Sequence, residues 1–151
     1  MTPQGTAESY QRHGDIVVGV DGSSSAESAL RWAAAQARLT GVGIHAIIAW
    51  EYPALYRWGP TYPHQDFAAT AGKVLADSVH RALGFDLEEP VEESVIPGHP
   101  AQVLIDASQN AALLVVGCRG HGTFSGTLLG SVSQHCVQHS RCPVVVVRGR
   151  E

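Results

Sequence analysis

The sequence predicts an α/β domain of three layers, a doubly wound, mostly parallel five-stranded sheet between four helices. Short runs of continuous apolar residues, as expected of strands buried on both faces, alternate along the chain with longer stretches of helical period. At 151 residues, 44% of them hydrophobic, the chain can bury one substantial core but is cramped for two packed domains. Residues 1–13 read as a flexible N-terminal arm and 14–151 as a single domain.

The first strand is Ile16-Val17-Val18-Gly19-Val20, which ends at the turn Asp21-Gly22. Ser24, with Glu27 three residues later, predicts a capping box opening a helix. Ala26, Ala29, Leu30, Ala33 and Ala37 then fall at helical spacing, with Gly41 as a stop. A second strand is expected over 43–49. Segment 50–65 mixes Pro53, Pro60 and Pro63 with Tyr52, Tyr56, Trp58 and Tyr62, and reads as an irregular loop or a lid. A second helix runs to about Leu83 and closes at Gly84, and the third strand spans 91–96. Pro100 opens a third helix that carries Val103, Leu104 and Ala107 inward. The fourth strand covers 112–117, the last helix 131–140 and the fifth strand 143–148.

The chemistry concentrates after the fourth strand. Gly117, Gly120, Gly122, Gly126 and Gly130 fall within fourteen residues, between a strand and a helix. Glycine lets backbone N–H groups approach a ligand closely, and successive amides can form an anion-binding nest. Ser131 and Ser133 stand at the start of the next helix, where free N–H groups and the positive dipole end favour a phosphate. The segment lacks the Gly-Lys-Ser/Thr of a Walker A loop and the glycine spacing of the Rossmann fingerprint. It reads as a phosphate cradle or as a surface loop ending in a serine-capped helix.

Gly117-x2-Gly120-x9-Gly130-Ser131, continuing through Val132-Ser133 to Cys142-Pro143-Val144, resembles the ATP-binding signature of the universal stress protein family. Val17-Val18-Gly19-Val20-Asp21-Gly22-Ser23 resembles that family's first strand and turn, and Val115-Val116-Gly117-Cys118-Arg119-Gly120 its fourth strand and loop. The resemblance covers about residues 15 to 149. It implies a strand order of 3-2-1-4-5, which sets Asp21 and Gly117 on one crevice at the topological switch point. It also implies a site formed by Gly19, Val20, Asp21, Ala49, Trp50, Gly117, Arg119, Gly120, Gly122, Gly130, Ser131, Val132 and Ser133. Within it, Asp21 would accept from ribose hydroxyls or serve as a turn residue, and backbone at Ala49 or Trp50 would line an adenine pocket. Arg119 would reach a phosphate or stand exposed on the loop.

The function so implied is an ATP-binding regulatory protein of stress response, with or without magnesium on the nucleotide and with no catalytic residues. The alternatives are a nucleotide-free dimeric interaction module and a slow ATPase or other adenine-nucleotide enzyme. Val144-Val145-Val146-Val147 lies on the strand that ends the implied sheet order, an apolar edge that needs a cover: the resemblance implies a homodimer through residues 143–148, the alternative being the arm 1–13, beside a protein partner the sequence does not identify.

Other classes are excluded or disfavoured. Ten basic against fourteen acidic residues, net charge −4, disfavour a nucleic-acid partner. No run approaches the ~20 apolar residues of a membrane-spanning helix, so no membrane association is expected. Residues 1–14 lack a secretory pattern, and three cysteines make no disulfide framework, so a cytoplasmic protein is expected. His135, Cys136, His139 and Cys142 suggest zinc, but Cys136 falls about 100° around the helix from His135, and no structural metal is expected. No Gly-x-Ser-x-Gly elbow supports a serine hydrolase.

Overall fold

The computed structural model describes residues 14–51, 66–84, 90–119 and 129–149. The expected arm 1–13 and all but the first two residues of segment 50–65 lie outside the described residues. The elements run β1 (Ile16–Gly19), α1 (Ser24–Thr40), β2 (Ile44–Trp50), α2 (Phe67–Leu83), β3 (Val91–Pro97), α3 (Pro100–Ala107), β4 (Leu113–Gly117), α4 (Ser131–His139) and β5 (Val144–Val147). The sheet order is β3-β2-β1-β4-β5, as the resemblance implied, and every pairing is parallel.

Side-chain alternation along the strands feeds two cores. On one face Ile16, Val18, Ile44, Ala46, Ile48 and Val115 meet Leu30 of α1 with Leu75 and Val79 of α2. On the other, Val17, Ile47, Leu114 and Val116 meet Leu104 of α3 and Cys136 of α4. Both faces are covered, which is why the strands read as unbroken apolar runs. Ala29, Ala33 and Ala37, all fully buried, let the α1 backbone lie close to the sheet. Among the described residues no helix is long and apolar enough to cross a membrane.

Helix ends follow local chemistry, with one correction. The cap of α1 is Ser23, one residue before the expected Ser24: its hydroxyl accepts from Ala26 N–H at 3.2 Å. Asp21 sets this up, because its Oδ1 accepts both the Ser23 N–H at 2.9 Å and the Ser23 hydroxyl at 2.5 Å. Glu27 turns instead toward Arg81 of α2, whose Nε donates to it at 2.9 Å. Gly41 closes α1 at φ 75°, a left-handed conformation in which glycine carries no steric penalty. Pro100 occupies the first turn of α3, and His99 Nδ1 accepts from Ala101 N–H at 3.2 Å as its cap.

Candidate functional site

β1 connects to β2 on one side and pairs with β4 on the other, so the winding of the sheet reverses between β1 and β4. Their carboxyl ends diverge into loops there, the usual ligand crevice of an open parallel sheet. A cavity of about 270 Å³ opens at this point, walled by the ends of β1, β2 and β4 and the first turns of α1, α3 and α4.

One wall is apolar, formed by Ile47 and Ala49 of β2, Val116 of β4, and Pro100 and Leu104 of α3. It suits a flat ring system, which gains from leaving water without needing charge. Gly19 forms part of this wall, and a Cβ there would stand 2.6 Å from Leu104 Cδ1. Asp21 and Ser23 stand at the rim. Asp21 is exposed, and both of its hydrogen bonds to Ser23 use Oδ1, so neither occupies Oδ2. The carboxylate therefore has a structural duty in the turn and a second oxygen that Ser23 does not use.

The remaining wall is the anion-friendly one. Gly117, Arg119, Gly130, Ser131, Val132 and Ser133 line it. Gly130 is the N-cap of α4 with no side-chain capping bond, so first-turn amides of α4 are not satisfied by a cap and favour negative charge. No acidic residue stands in that first turn, and Arg119 adds a cation. Ser131 is exposed, whereas Ser133 is buried and donates its hydroxyl to Gly117 O at 2.5 Å.

The structure thus brings Gly19, Val20, Asp21, Ala49, Gly117, Arg119, Gly130, Ser131, Val132 and Ser133 to one cavity. Gly120 and Gly122 lie outside the described residues. Trp50 is not in the cavity wall: it packs against the α1–α2 core, and its carbonyl accepts from Gly98 N–H at 2.8 Å. Ser23, Ala26, Ile47, Pro100, Leu104 and Val116 line the cavity without having been picked out. The Asp-Gly-Ser turn was a usable signal for Ser23, but the others reach the site only through the packing of α3 and the strand order.

Cys118 lies just behind this wall, with its thiol held by neighbours. Burial pushes it up, but the Gly149 N–H, the Ser25 hydroxyl and the Arg119 side chain together bring it below the ordinary thiol value. The sequence cluster 135–142 separates: Cys136 is fully buried under α4, while the His135 and His139 rings meet outside at a tilt of 43°, centroids 4.5 Å apart. Among the described residues no group of three His, Cys, Asp or Glu side chains could hold a metal ion.

The model of the universal stress protein family matches residues 13–148. Universal stress protein Rv2623 of Mycobacterium tuberculosis is 33% identical over 147 residues, covering 90% of this chain and 48% of the relative. The chain therefore spans about half the length of the curated relatives it matches. Among solved structures, universal stress protein UspA from Lactobacillus plantarum superposes with a TM-score of 0.70 at 20% identity, over 90% of this chain and 98% of that one. A universal stress protein in complex with cAMP gives a TM-score of 0.62 at 27% identity, over 91% of this chain and 98% of that one.

Proposed function

The chain belongs to the universal stress protein family, and from that premise we propose that it is a cytoplasmic regulatory protein whose switch-point cavity binds an adenine nucleotide, ATP in the first instance. The observation that carries the reading is the division of labour in one cavity. An apolar slot lies between β2 and α3, a carboxylate stands at the end of β1, and an uncapped helix start with Arg119 lies on the far wall. These match in turn a purine ring, ribose hydroxyls and phosphates. The cAMP complex of a relative 27% identical supports the same ligand class.

Bound nucleotide would add to the hydrogen bonds that already tie the end of β4 to α1 and α4. Phosphates would bridge the end of β4 to α4, and the ribose would tie both to the turn that caps α1. The output would be the set of surfaces presented to a partner, including the open edge of β5. We assign that edge to a homodimer. Leu114 N–H donates to Pro143 O and Cys118 N–H to Val147 O, so the N–H groups of Val144 and Val146 face away from β4. An antiparallel copy of the same strand would satisfy them in a closed twofold interface.

Mass spectrometry of the purified protein for co-purifying nucleotide, with a turnover assay alongside, tests the reading. Adenine nucleotide held without turnover is the expected result. Sustained turnover, even slow, favours the enzyme alternative, and a chain that holds and binds no nucleotide favours the interaction module.

A further inference from the structure

Two buried hydroxyls beside the cavity are turned toward protein rather than toward the ligand space. Ser133, 4% exposed, donates to Gly117 O at 2.5 Å. Ser25, 7% exposed and one residue into α1, accepts from Arg119 N–H at 3.4 Å and faces Cys118 Sγ at 3.8 Å. Between them Gly130 N–H donates to Cys118 O at 2.7 Å. Three consecutive residues leaving β4 are thus each tied to another element: 117 to α4, 118 to the cap of α4, and 119 to α1.

The packing shows how closely these strands of backbone converge. A Cβ on Gly117 would stand 2.9 Å from Ser25 Cβ, and one on Gly149 would stand 3.2 Å from Ser25 Cα. Ser25 therefore occupies the space that side chains at 117 and 149 would need. A serine hydroxyl has one proton to give. In Ser133 that proton is committed to Gly117 O, and in Ser25 it points to the Cys118 thiol. Ser131, exposed at the cavity wall, is the hydroxyl placed to meet a ligand.

We infer that Ser25 and Ser133 are positioning residues. They hold the end of β4 against the starts of α1 and α4, so that Arg119 and the first-turn amides of α4 keep their places at the cavity wall before nucleotide arrives. This rests on the nucleotide reading above for its ligand, but the clamp itself is a property of the free protein. Pre-aimed donors cost less to order on binding than donors that must be gathered by the ligand.

The test uses Ser25→Ala, Ser133→Ala and Ser131→Ala, with two readouts. In nucleotide-free protein, amide hydrogen exchange should speed up at Gly130 in Ser133→Ala and at Arg119 in Ser25→Ala, and stay at the wild-type rate at both in Ser131→Ala. In calorimetry, each clamp variant should lose about tenfold in affinity for ATP, the worth of one net hydrogen bond, and keep its affinity for adenosine. Retained adenosine binding also shows that the variant is folded. A Ser133→Ala protein that loses ATP affinity while its free-state exchange is unchanged would overturn the inference, because the hydroxyl then touches the ligand directly. An unchanged ratio of ATP to adenosine affinity in both clamp variants would overturn it as well. A wild-type chain that binds neither ATP nor adenosine would instead overturn the nucleotide reading, and the exchange rates alone would then decide whether the clamp exists.

Discussion

Replacing Gly117 by alanine puts a methyl group into space that the first turn of α1 already fills. Its Cβ would stand 2.7 Å from the backbone carbonyl carbon of Ser25. Ordinary carbon contact begins at about 3.5 Å, so the helix start must retreat by roughly 0.8 Å. No rotamer change relieves a clash with backbone, which puts the cost toward the upper part of the overpacking range, about 3 kcal/mol. Loss of glycine's freedom in the unfolded chain returns about 0.4–1 kcal/mol. The net loss of stability is about 2 kcal/mol, which at a typical urea dependence lowers the unfolding midpoint by about 1 M. Gly19→Ala is the control, because the nearest atom to its new Cβ is the methyl end of Leu104, which can turn aside. Its loss should stay near 1 kcal/mol, the lower end of the same range. Urea unfolding of the two variants, followed by circular dichroism, reads both numbers. A Gly117→Ala protein that unfolds at the wild-type midpoint, or later than Gly19→Ala, would refute the account of how α1 meets β4.

Asp21→Ala should weaken ATP binding by roughly 1.5–3 kcal/mol, the value of hydrogen bonds to a charged acceptor, and weaken inorganic triphosphate far less. Equal losses for both ligands would assign Asp21 to the turn alone, where it already holds Ser23. Val146→Pro removes a backbone donor that faces away from β4, so the sheet should survive while sedimentation shows monomer or precipitate in place of dimer. A wild-type chain that sediments as a stable monomer at micromolar concentration counts against the β5 interface. Alkaline pH should expose Cys136, whose thiol burial pushes up to about 11, with Cys142 adding a smaller push. An unfolded thiol ionises near about 8.5, so between those values the unfolded state binds fewer protons and stability falls as pH rises. Urea midpoints at pH 8 and pH 10.5 should therefore diverge more in wild type than in Cys136→Ala, and parallel shifts would contradict the assignment.

The sequence carried the elements because each had a local cause. Val17 and Val18 read as a two-faced strand since α1 covers one side and α3 the other, and Gly41 and Pro100 punctuate helices by backbone constraints that hold anywhere. The cap of α1 slipped by one residue because the contest between Ser23 and Ser24 is decided by Asp21, and the competing Glu27 is drawn to Arg81 on another helix. Strand order came from family resemblance, since nothing in β1 itself says that β4 rather than β3 lies beside it. Gly117, Gly130, Ser131 and Ser133, which line the cavity, were legible as a spacing. The apolar wall was not, because Leu104 and Pro100 reach the cavity only through the packing of α3 across the sheet. Of the pair Ala49 or Trp50, Ala49 lines the cavity, and alternation along β2 turns the Trp50 ring to the opposite face.

The most direct measurement is calorimetric titration of ATP into nucleotide-stripped wild type and into Gly130→Val. Gly130 has φ −70° and ψ 165°, a conformation open to any residue, so valine needs no left-handed backbone and adds bulk at the cavity wall. Saturable binding of one ATP per chain is expected in wild type, and no measurable binding in a variant that still unfolds cooperatively in urea, if at a lower midpoint for the valine at the helix cap. Wild-type affinity in Gly130→Val, or no heat of binding in wild type itself, would contradict the claim that this cavity is a nucleotide site.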